Sequence, residues 1–291
     1  MAFKEKLSAY YWLTKPGIIY GNLITTAAGF LLAARGNIDW VLFVASLVGT
    51  TAVIASACVF NNYTDKDIDS RMAMTKKRAL VSGYIGGKSA LIYASALGII
   101  GFLVLAILVN ALVALIAAAA FVFYVIFYGV AKRHSVHGAL VGSVPGAAPP
   151  VIGYCAVTDH LDGGALILFL ILVFWQMPHF YAIAMYRFKD YKAAKLPVMT
   201  VRAGVRATKL QIQAYILAFI VAAAALTVFD YTGRIYLLIV LAAGLYWFWL
   251  GLKDFAAADN EAWGRKMFLF SLVVNLTFAL TISFDWLLVK I

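Results

Sequence analysis

Nine long apolar stretches constrain the fold of this chain more than any other feature of its sequence. Each holds about 20 mostly apolar residues, the length that an α-helix needs to cross the hydrocarbon core of a bilayer. They run roughly over residues 17–34, 40–60, 89–108, 111–131, 139–157, 165–186, 210–229, 235–252 and 267–289. Only 13% of the 291 residues are charged, against about a quarter in soluble domains. The sequence therefore predicts an all-α, polytopic protein of the lipid bilayer, with nine transmembrane helices in one domain over 1–291.

The distribution of lysine and arginine predicts how this bundle is oriented. With nine spans, 21 of the 24 basic residues fall on one side of the membrane, and the other side keeps only Arg35, Arg234 and Lys290. Because cytoplasmic connections carry such an excess, we expect the N-terminus in the cytoplasm and the C-terminus outside. The same rule explains most of the net charge of +11, so nucleic acid is not an expected partner.

The N-terminal segment and the cysteines bear on the compartment. Residues 1–15 are polar and precede a full-length span without a small-residue cleavage pattern, so we expect this span to be retained. The segment is not an Arg-rich, acid-poor transit sequence, which favours a bacterial plasma membrane. Cys58 and Cys155 lie in different spans without CxxC spacing, which favours helix packing over a disulfide or a zinc site.

Two predicted cytoplasmic connections, residues 61–88 and 187–209, are longer than a join between helices requires. Extra loop length of this kind is typical of functional segments. The two connections follow the second and the sixth spans. Their matching positions suggest two related halves, as a hypothesis that the weak similarity between the halves does not prove.

The first connection combines acidic and basic residues in a regular spacing. Asn61, Asp65 and Asp69 are at positions i, i+4 and i+8, so on a continuous helix they share one face. Stacked carboxylates repel each other unless a cation lies between them, and oxygen ligands suit Mg²⁺, which also takes waters and phosphates. This favours a diphosphate ligand, for which Lys76, Lys77 and Arg78 are candidate donors. The plainer interpretation is a solvated acidic helix end within a positive-inside loop.

The fifth and sixth spans contain residues that a uniform membrane helix does not need. Pro178 is expected to loosen or kink the sixth span, and the neighbouring His179 is a polar group at membrane depth, typical of a cavity wall. A histidine packed against a neighbouring helix is the alternative. Glycines and prolines between Gly142 and Tyr154 predict a fifth span that is not straight and that lines a pocket, although close helix packing explains the glycines equally well.

These residues carry a family resemblance. The pattern Asn61-Asn62-Tyr63-x-Asp65-x-x-x-Asp69, followed by Thr75-x-x-Arg78, resembles the first aspartate-rich motif of the UbiA-type intramembrane prenyltransferases. Further stretches resemble the branch of that family that farnesylates haem, namely Thr14-Lys15-Pro16-Gly17 through Asn22, Lys132-Arg133-His134-Ser135, Gly146-Ala-Ala-Pro149-Pro150 and Trp175-Gln176-Met177-Pro178-His179. The resemblance implies a nine-helix bundle around a central, lipid-open cavity. Two acidic motifs at its cytoplasmic end would hold Mg²⁺ and the diphosphate.

The resemblance also implies roles for individual residues. Asp65 and Asp69, assisted by Asn61, would hold the first Mg²⁺, and Asp190 would hold a second ion or an ordered water. The family usually has several aspartates in the second motif, where this chain matches only Asp190. His179 would contact the haem iron, a haem propionate or the region of the vinyl group. The expected substrate-binding residues are Lys15, Asn22, Asn61, Asn62, Lys76, Arg78, Lys132, Arg133, Arg187 and Lys189.

The reaction implied by the resemblance transfers farnesyl from farnesyl diphosphate to the vinyl group of haem b, with addition of water, giving haem O. Haem b is then a substrate, whereas Mg²⁺ is the cofactor. A downstream haem-processing enzyme or a terminal oxidase is an expected partner. One alternative is a prenyltransferase acting on a quinone precursor or another tetrapyrrole. A membrane transporter is a more distant alternative, since related halves and broken helices also suit alternating access.

Overall fold

The structure is a computed structural model that describes residues 3–256 and 258–288. Over these residues, nine helical segments are long and apolar enough to span a membrane, which confirms the predicted fold class. The helices are α1 Phe3–Leu13, α2 Pro16–Ala34, α3 Trp40–Thr64, α4 Lys66–Asp69, α5 Gly87–Leu108, α6 Ala111–Val122, α7 Gly129–His134, α8 Gly138–Gly146, α9 Ala148–Thr158, α10 Gly163–Tyr186, α11 Phe188–Ala193, α12 Met199–Arg202, α13 Gly204–Val228, α14 Arg234–Lys253 and α15 Asn260–Leu288. A π-helix, Phe123–Tyr128, joins α6 to α7.

Most of the predicted span boundaries lie within a few residues of the observed ones. The largest differences are at the starts of the seventh and ninth spans, which begin at Gly204 and Asn260 and not near residues 210 and 267. Their first turns carry charged side chains at the membrane edge, so a hydropathy pattern finds the apolar part of each helix and misses its polar first turns. The predicted end at Val289 and the basic residue Lys290 lie outside the described residues.

Four helices that start on the predicted outer side are capped by acidic or amide side chains. Asp39, Asn110 and Asp162 each accept hydrogen bonds from backbone N–H groups in the first turn of α3, α6 and α10. At the start of α14, both carboxylate oxygens of Asp285 accept from the N–H of Gly233 at 3.0 Å. Such caps satisfy N–H groups that lack a helical partner, each contributing about 1 kcal/mol.

The fifth and sixth spans differ in how they accommodate proline. The fifth is divided at Ala147 into α8 and α9, which confirms the prediction that it is not a uniform helix. Pro149 and Pro150 lie in the first turn of α9, where an N–H would have no helical partner in any case. In contrast, α10 runs from Gly163 to Tyr186 without interruption at Pro178. The expected loosening of the sixth span therefore does not interrupt this helix.

Close packing of α2 against α9 forms part of the core. A Cβ on Gly29 would overlap the backbone carbonyl of Pro150, and a Cβ on Gly153 would overlap the backbone carbonyl of Thr26. Small residues allow membrane helices to approach at backbone distance, where van der Waals contact stabilises their association. The two helices therefore form a rigid wall beside the central cavity.

Candidate active site

A cavity of about 350 Å³ lies between the spanning helices. Its volume is within the range of small-molecule sites, which are mostly apolar with a few polar groups. Small and aromatic side chains dominate its walls, which include Gly17, Gly21, Asn22, Cys58, Phe121, Tyr124, Tyr128, Gly146, Pro149, Trp175, Gln176, His179 and Asn275. The fifth span contributes to this wall, as the sequence predicted.

A charged cluster lies next to the cavity, on the side of the first long connection. We call this cluster the polar mouth; its members are Lys15, Asn61, Asn62, Asp65, Asp69, Arg78, Lys132 and Arg133. Its residues continue helices that line the cavity. Cys58 lies one helical turn before Asn62, and Tyr128 lies one turn before Lys132. The Nζ of Lys132 is 5.0 Å from the centre of the Tyr128 ring. Charge and apolar cavity therefore meet at this ring.

The two predicted aspartates are both in the polar mouth and both buried, with 8% and 5% of Asp65 and Asp69 exposed. The predicted continuous helix is wrong in one respect, because α3 ends at Thr64 and Asp65 joins it to the short helix α4. The i to i+4 bonding nevertheless persists, since the Asp65 N–H donates to the Asn61 carbonyl and the Asp69 N–H to the Asp65 carbonyl. The three residues therefore follow a nearly helical path.

Each carboxylate has its own basic partner, which differs from the expectation of two carboxylates sharing one cation. Asp65 forms a hydrogen-bonded ion pair with Lys132 and lies 3.5 Å from the Arg133 guanidinium. Asp69 accepts from Arg78 Nη1 at 2.6 Å. Buried charges require such partners because desolvation penalises an unpaired charge.

The two asparagines orient the surrounding basic groups. Lys15 Nζ donates to Asn61 Oδ1 at 2.7 Å. Asn62 accepts from Arg78 Nη1 at 3.1 Å and donates to the Leu13 carbonyl at 2.7 Å. Burial lowers the pKa of Lys15 to about 8, because desolvation disfavours the charged ammonium. An anion bound next to Lys15 would therefore stabilise the charged form of its ammonium group.

One acidic residue near the polar mouth escaped the sequence analysis. Both carboxylate oxygens of Asp67 accept from the Arg133 guanidinium, at 2.9 and 2.8 Å, and this hydrogen-bonded pairing lowers the pKa of Asp67 to about 2. Arg133 also donates to the Thr64 carbonyl at 2.6 Å. The side chain of Asp67 is 53% exposed, so it ties the end of the fourth span to the first connection from outside the site.

The π-helix supplies further cavity residues that sequence reasoning missed. Tyr124 and Tyr128 lie within it and line the cavity. A π-helical segment inserts an extra residue into a helix and is frequent at functional sites. The aromatic run that starts at Phe123 was the available signal, but its spacing does not reveal an inserted residue.

The second long connection packs against the first. Asp190 Oδ1 accepts from the Ala73 N–H at 3.2 Å, and buried apolar side chains from both connections form a small cluster, namely Ile68, Met72, Ala194 and Leu196. The Arg187 guanidinium lies 4.7 Å from the centre of the Tyr186 ring, and its Nε is buried without a hydrogen-bond partner. The structure thus brings Asp190 against the first connection, and its role with an ion stays a prediction.

Four of the expected substrate-binding residues lie apart from the polar mouth, namely Arg187 in the second long connection together with Asn22, Lys76 and Lys189. The side chain of Lys189 is 93% exposed and 4.0 Å from Glu261, and Lys76 is exposed as well. Asn22 lines the cavity and donates to the Ile18 carbonyl at 2.8 Å. The structure therefore places Asn22 inside the cavity and the two lysines on the surface.

His179 lies in the cavity wall, as predicted. Its Nδ1 is 2.7 Å from the Ser271 hydroxyl, and its ring stacks on Trp175 with centroids 4.9 Å apart. One edge of the ring is therefore packed against a neighbouring helix, as in the predicted alternative. The residue nevertheless lines the cavity.

The residues of the polar mouth suit a hard divalent cation. Asp65 Oδ1 is buried without a hydrogen-bond partner, so it can offer an oxygen to a cation. Asn61 Nδ2 is also buried without a partner, and as an N–H donor it suits a phosphate oxygen. Within residues 3–256 and 258–288, no group of three or more His, Cys, Asp or Glu side chains is arranged to hold an ion alone. Mg²⁺ typically uses one or two carboxylates and completes its shell with water and substrate phosphates, which fits this arrangement.

Similarity to known proteins covers nearly the whole chain. The family model described as "UbiA prenyltransferase family" matches residues 22–273. The chain is 50% identical over 281 residues to "Protoheme IX farnesyltransferase" of Yersinia pseudotuberculosis serotype O:1b (strain IP 31758), covering 96% of this chain and 95% of that protein. A digeranylgeranylglyceryl phosphate synthase has the same fold, with TM-score 0.80, 17% identity and coverage of 99% and 100%. A UbiA homolog from Archaeoglobus fulgidus bound to GPP and Mg²⁺ gives TM-score 0.70 and 14% identity over 94% of this chain and 99% of that one.

Proposed function

Because this chain belongs to the UbiA prenyltransferase family, we propose that it transfers farnesyl from farnesyl diphosphate to a vinyl group of haem b, with addition of water, giving haem O. The observation that carries this proposal is the junction of the polar mouth with an apolar, aromatic cavity. Such a junction suits a substrate with a diphosphate head and an isoprenoid tail. The relative named "Protoheme IX farnesyltransferase" supports haem as the acceptor.

The polar mouth binds the diphosphate. Arg78, Lys132 and Lys15 converge there, and their charges stabilise the negative charge that develops on the departing oxygen. Asp65 and Asp69, with Asn61 and the Asp190 loop beside them, would hold Mg²⁺. When bound, this ion neutralises the diphosphate as a Lewis acid.

The cavity protects the allylic fragment during transfer. Aromatic faces such as those of Tyr124 and Tyr128 attract cations, and apolar walls exclude bulk water until the vinyl carbon has attacked. One water must still reach the new cation on the porphyrin side. Polar side chains in the cavity wall, such as Gln176 and Asn275, provide hydrogen-bonding partners for it.

The location is inferred from the bacterial relatives together with the predicted orientation. The chain is a multi-pass membrane protein, and we place it in a bacterial plasma membrane with its polar mouth facing the cytoplasm. The product is more hydrophobic than haem b and stays in the bilayer. A downstream haem-processing enzyme or a terminal oxidase in the same membrane is the partner that would receive it.

The test is the haem content of membranes with and without this protein, in a host that lacks haem-farnesylating activity. Extracted haem should shift from haem b to a species that is heavier by one farnesyl group and one hydroxyl group. Purified protein should form the same species from haem b and farnesyl diphosphate. Unchanged haem b, together with prenylation of a quinone precursor, would instead identify the other acceptor class. Solute flux without any chemical conversion would indicate a transporter.

We predict that Arg78→Lys remains impaired although the positive charge is kept. In the structure, Arg78 Nη1 makes the bonds to both Asp69 and Asn62, which leaves Nε and Nη2 for two parallel bonds to phosphate oxygens. A lysine lacks this planar fork, and a lost bond to a charged group corresponds to about a tenfold rise in KM for farnesyl diphosphate. Steady-state kinetics should show this rise, whereas Arg71→Lys, on the exposed part of the same connection, should match the wild type. Equal kinetics for Arg78→Lys and wild type would remove Arg78 from the diphosphate site.

A further inference from the structure

The imidazole of His179 is held in a fixed orientation by its neighbours. Its ring stacks on Trp175 at an interplanar angle of 27°, and the centre of the Phe268 ring is 5.0 Å away. Trp175 Nε1 donates to the Ser271 carbonyl at 2.8 Å, which ties this part of α10 to α15. The ring is therefore clamped between two spanning helices while it lines the cavity.

The hydrogen bonds around Ser271 determine which nitrogen of His179 carries the proton. The Ser271 hydroxyl donates to the Phe268 carbonyl at 2.6 Å, so its single proton is already used. The 2.7 Å contact with His179 Nδ1 is then a bond in which the ring N–H donates to the serine oxygen. In a neutral imidazole only one nitrogen carries a proton, so Nε2 has a free lone pair. No hydrogen bond of Nε2 occurs among the described residues.

On the basis of the haem acceptor proposed above, we propose that His179 Nε2 is the axial ligand that anchors the haem iron in the cavity. An Nδ1–H that donates to an oxygen acceptor, with Nε2 left free, is the arrangement found in metal-binding histidines. Coordination uses the Nε2 lone pair and needs no proton or electron transfer. The other three histidines of this chain, His134, His137 and His160, are exposed and do not line the cavity.

This protonation state argues against the other roles considered for His179. A bond to a haem propionate would need a proton on Nε2, whereas the single N–H of the neutral ring is on Nδ1 and donates to the Ser271 oxygen. The propionates are better matched by the lysine and arginine side chains of the polar mouth. A base for the incoming water remains chemically feasible at Nε2, so the experiment separates it from ligation.

Ser271 is then a positioning residue, which acts on the iron only through the imidazole. Ser271→Ala removes the acceptor that selects the Nδ1–H tautomer and the ring orientation. Loss of such a partner typically lowers metal affinity about 10- to 100-fold. We expect haem affinity to fall by about tenfold or more in this variant, with farnesyl diphosphate binding unchanged.

The decisive experiment titrates haem b into the purified full-length protein without any prenyl donor. Resonance Raman of the ferrous complex should show an iron–histidine stretch in wild type and in His160→Ala, and this band should be absent in His179→Ala. Exogenous imidazole should restore it in His179→Gly. Retention of farnesyl diphosphate binding by each variant shows that the bundle is folded.

Several results would overturn the ligation. The first is an iron–histidine band that survives in His179→Ala, and the second is a wild-type complex without such a band. The third is a haem complex whose iron ligation is lost in Cys58→Ala or Tyr124→Phe and kept in His179→Ala. A product that lacks its added water in His179→Ala, with unchanged haem spectra, would identify the residue as the base. If wild type farnesylates haem without histidine ligation, the proposed function stands and only the ligation fails. If wild type neither binds nor converts haem, the proposed function fails and ligation fails with it.

Discussion

Asp65→Asn is expected to lower kcat/KM for farnesyl diphosphate by about 10²- to 10³-fold, the range observed when one electrostatic contact to a transition state is removed. Asp65 is the carboxylate that Lys132 pairs with and Arg133 approaches, and its Oδ1 is buried without a hydrogen bond. Asparagine keeps the shape but removes the charge available to a cation. Chelation of divalent ions should reproduce the loss in wild type and add little to it in the variant.

Asp67→Asn is the matched control, because Asp67 carries the same group two residues away but is half exposed. An exposed ion pair contributes at most about 1 kcal/mol, so activity should change by about fivefold at most. Equal losses of activity in Asp65→Asn and Asp67→Asn would indicate that Asp65 acts only by holding neighbouring segments of the chain together. Full activity of Asp65→Asn, or of the metal-depleted wild type, would contradict the proposed ion site.

Removal of Asp65 also leaves the buried ammonium of Lys132 unpaired, which is destabilising in itself. The double variant Asp65→Asn/Lys132→Met separates this effect from catalysis, because it removes both buried charges. We expect its thermal unfolding temperature to recover towards that of wild type while its activity stays low. A double variant that regains activity would show that the single variant failed only through misfolding.

Gly153→Ala should produce the largest loss of stability from a single added methyl group. A Cβ at this position would overlap the carbonyl of Thr26 and press on the backbone N–H of Phe30, and backbone atoms cannot rotate aside. Overpacking of this kind costs about 1–3 kcal/mol. Thermal unfolding in detergent should therefore occur at a clearly lower temperature, and activity per folded molecule should fall because α9 forms part of the cavity wall.

Gly129→Ala provides a control with the opposite expected sign. A Cβ on Gly129 meets no atom within 4 Å, and alanine is favoured over glycine inside a helix by about 0.8–1.0 kcal/mol. This variant should be as stable as wild type or more so. If both alanine variants destabilise the protein equally, close approach of α2 and α9 is not what limits stability.

The spans were predictable because membrane helices need long apolar runs, and the spacing of four residues predicted the nearly helical path that Asp65 and Asp69 follow. The burial of the two aspartates was not contained in that spacing. Contacts between distant segments were not predictable in this way. The bond between His179 and Ser271 joins residues 92 positions apart, so it depends on how two helices are rotated against each other. The surface positions of Lys76 and Lys189 likewise follow from the paths of the two long connections, which the sequence pattern does not reveal.

The π-helix lets the fourth span carry one extra residue without changing the direction of the side chains that follow it. Each residue of an α-helix turns the chain by about 100°, and a π-helical turn absorbs one additional residue. Losing one codon within Phe123–Tyr128 would therefore restore a regular α-helix and leave Lys132 and Arg133 on the side that faces Asp65. The same loss in the regular α-helix before this segment would rotate both basic residues away from Asp65, so the effect of a deletion depends on which kind of helical turn it removes.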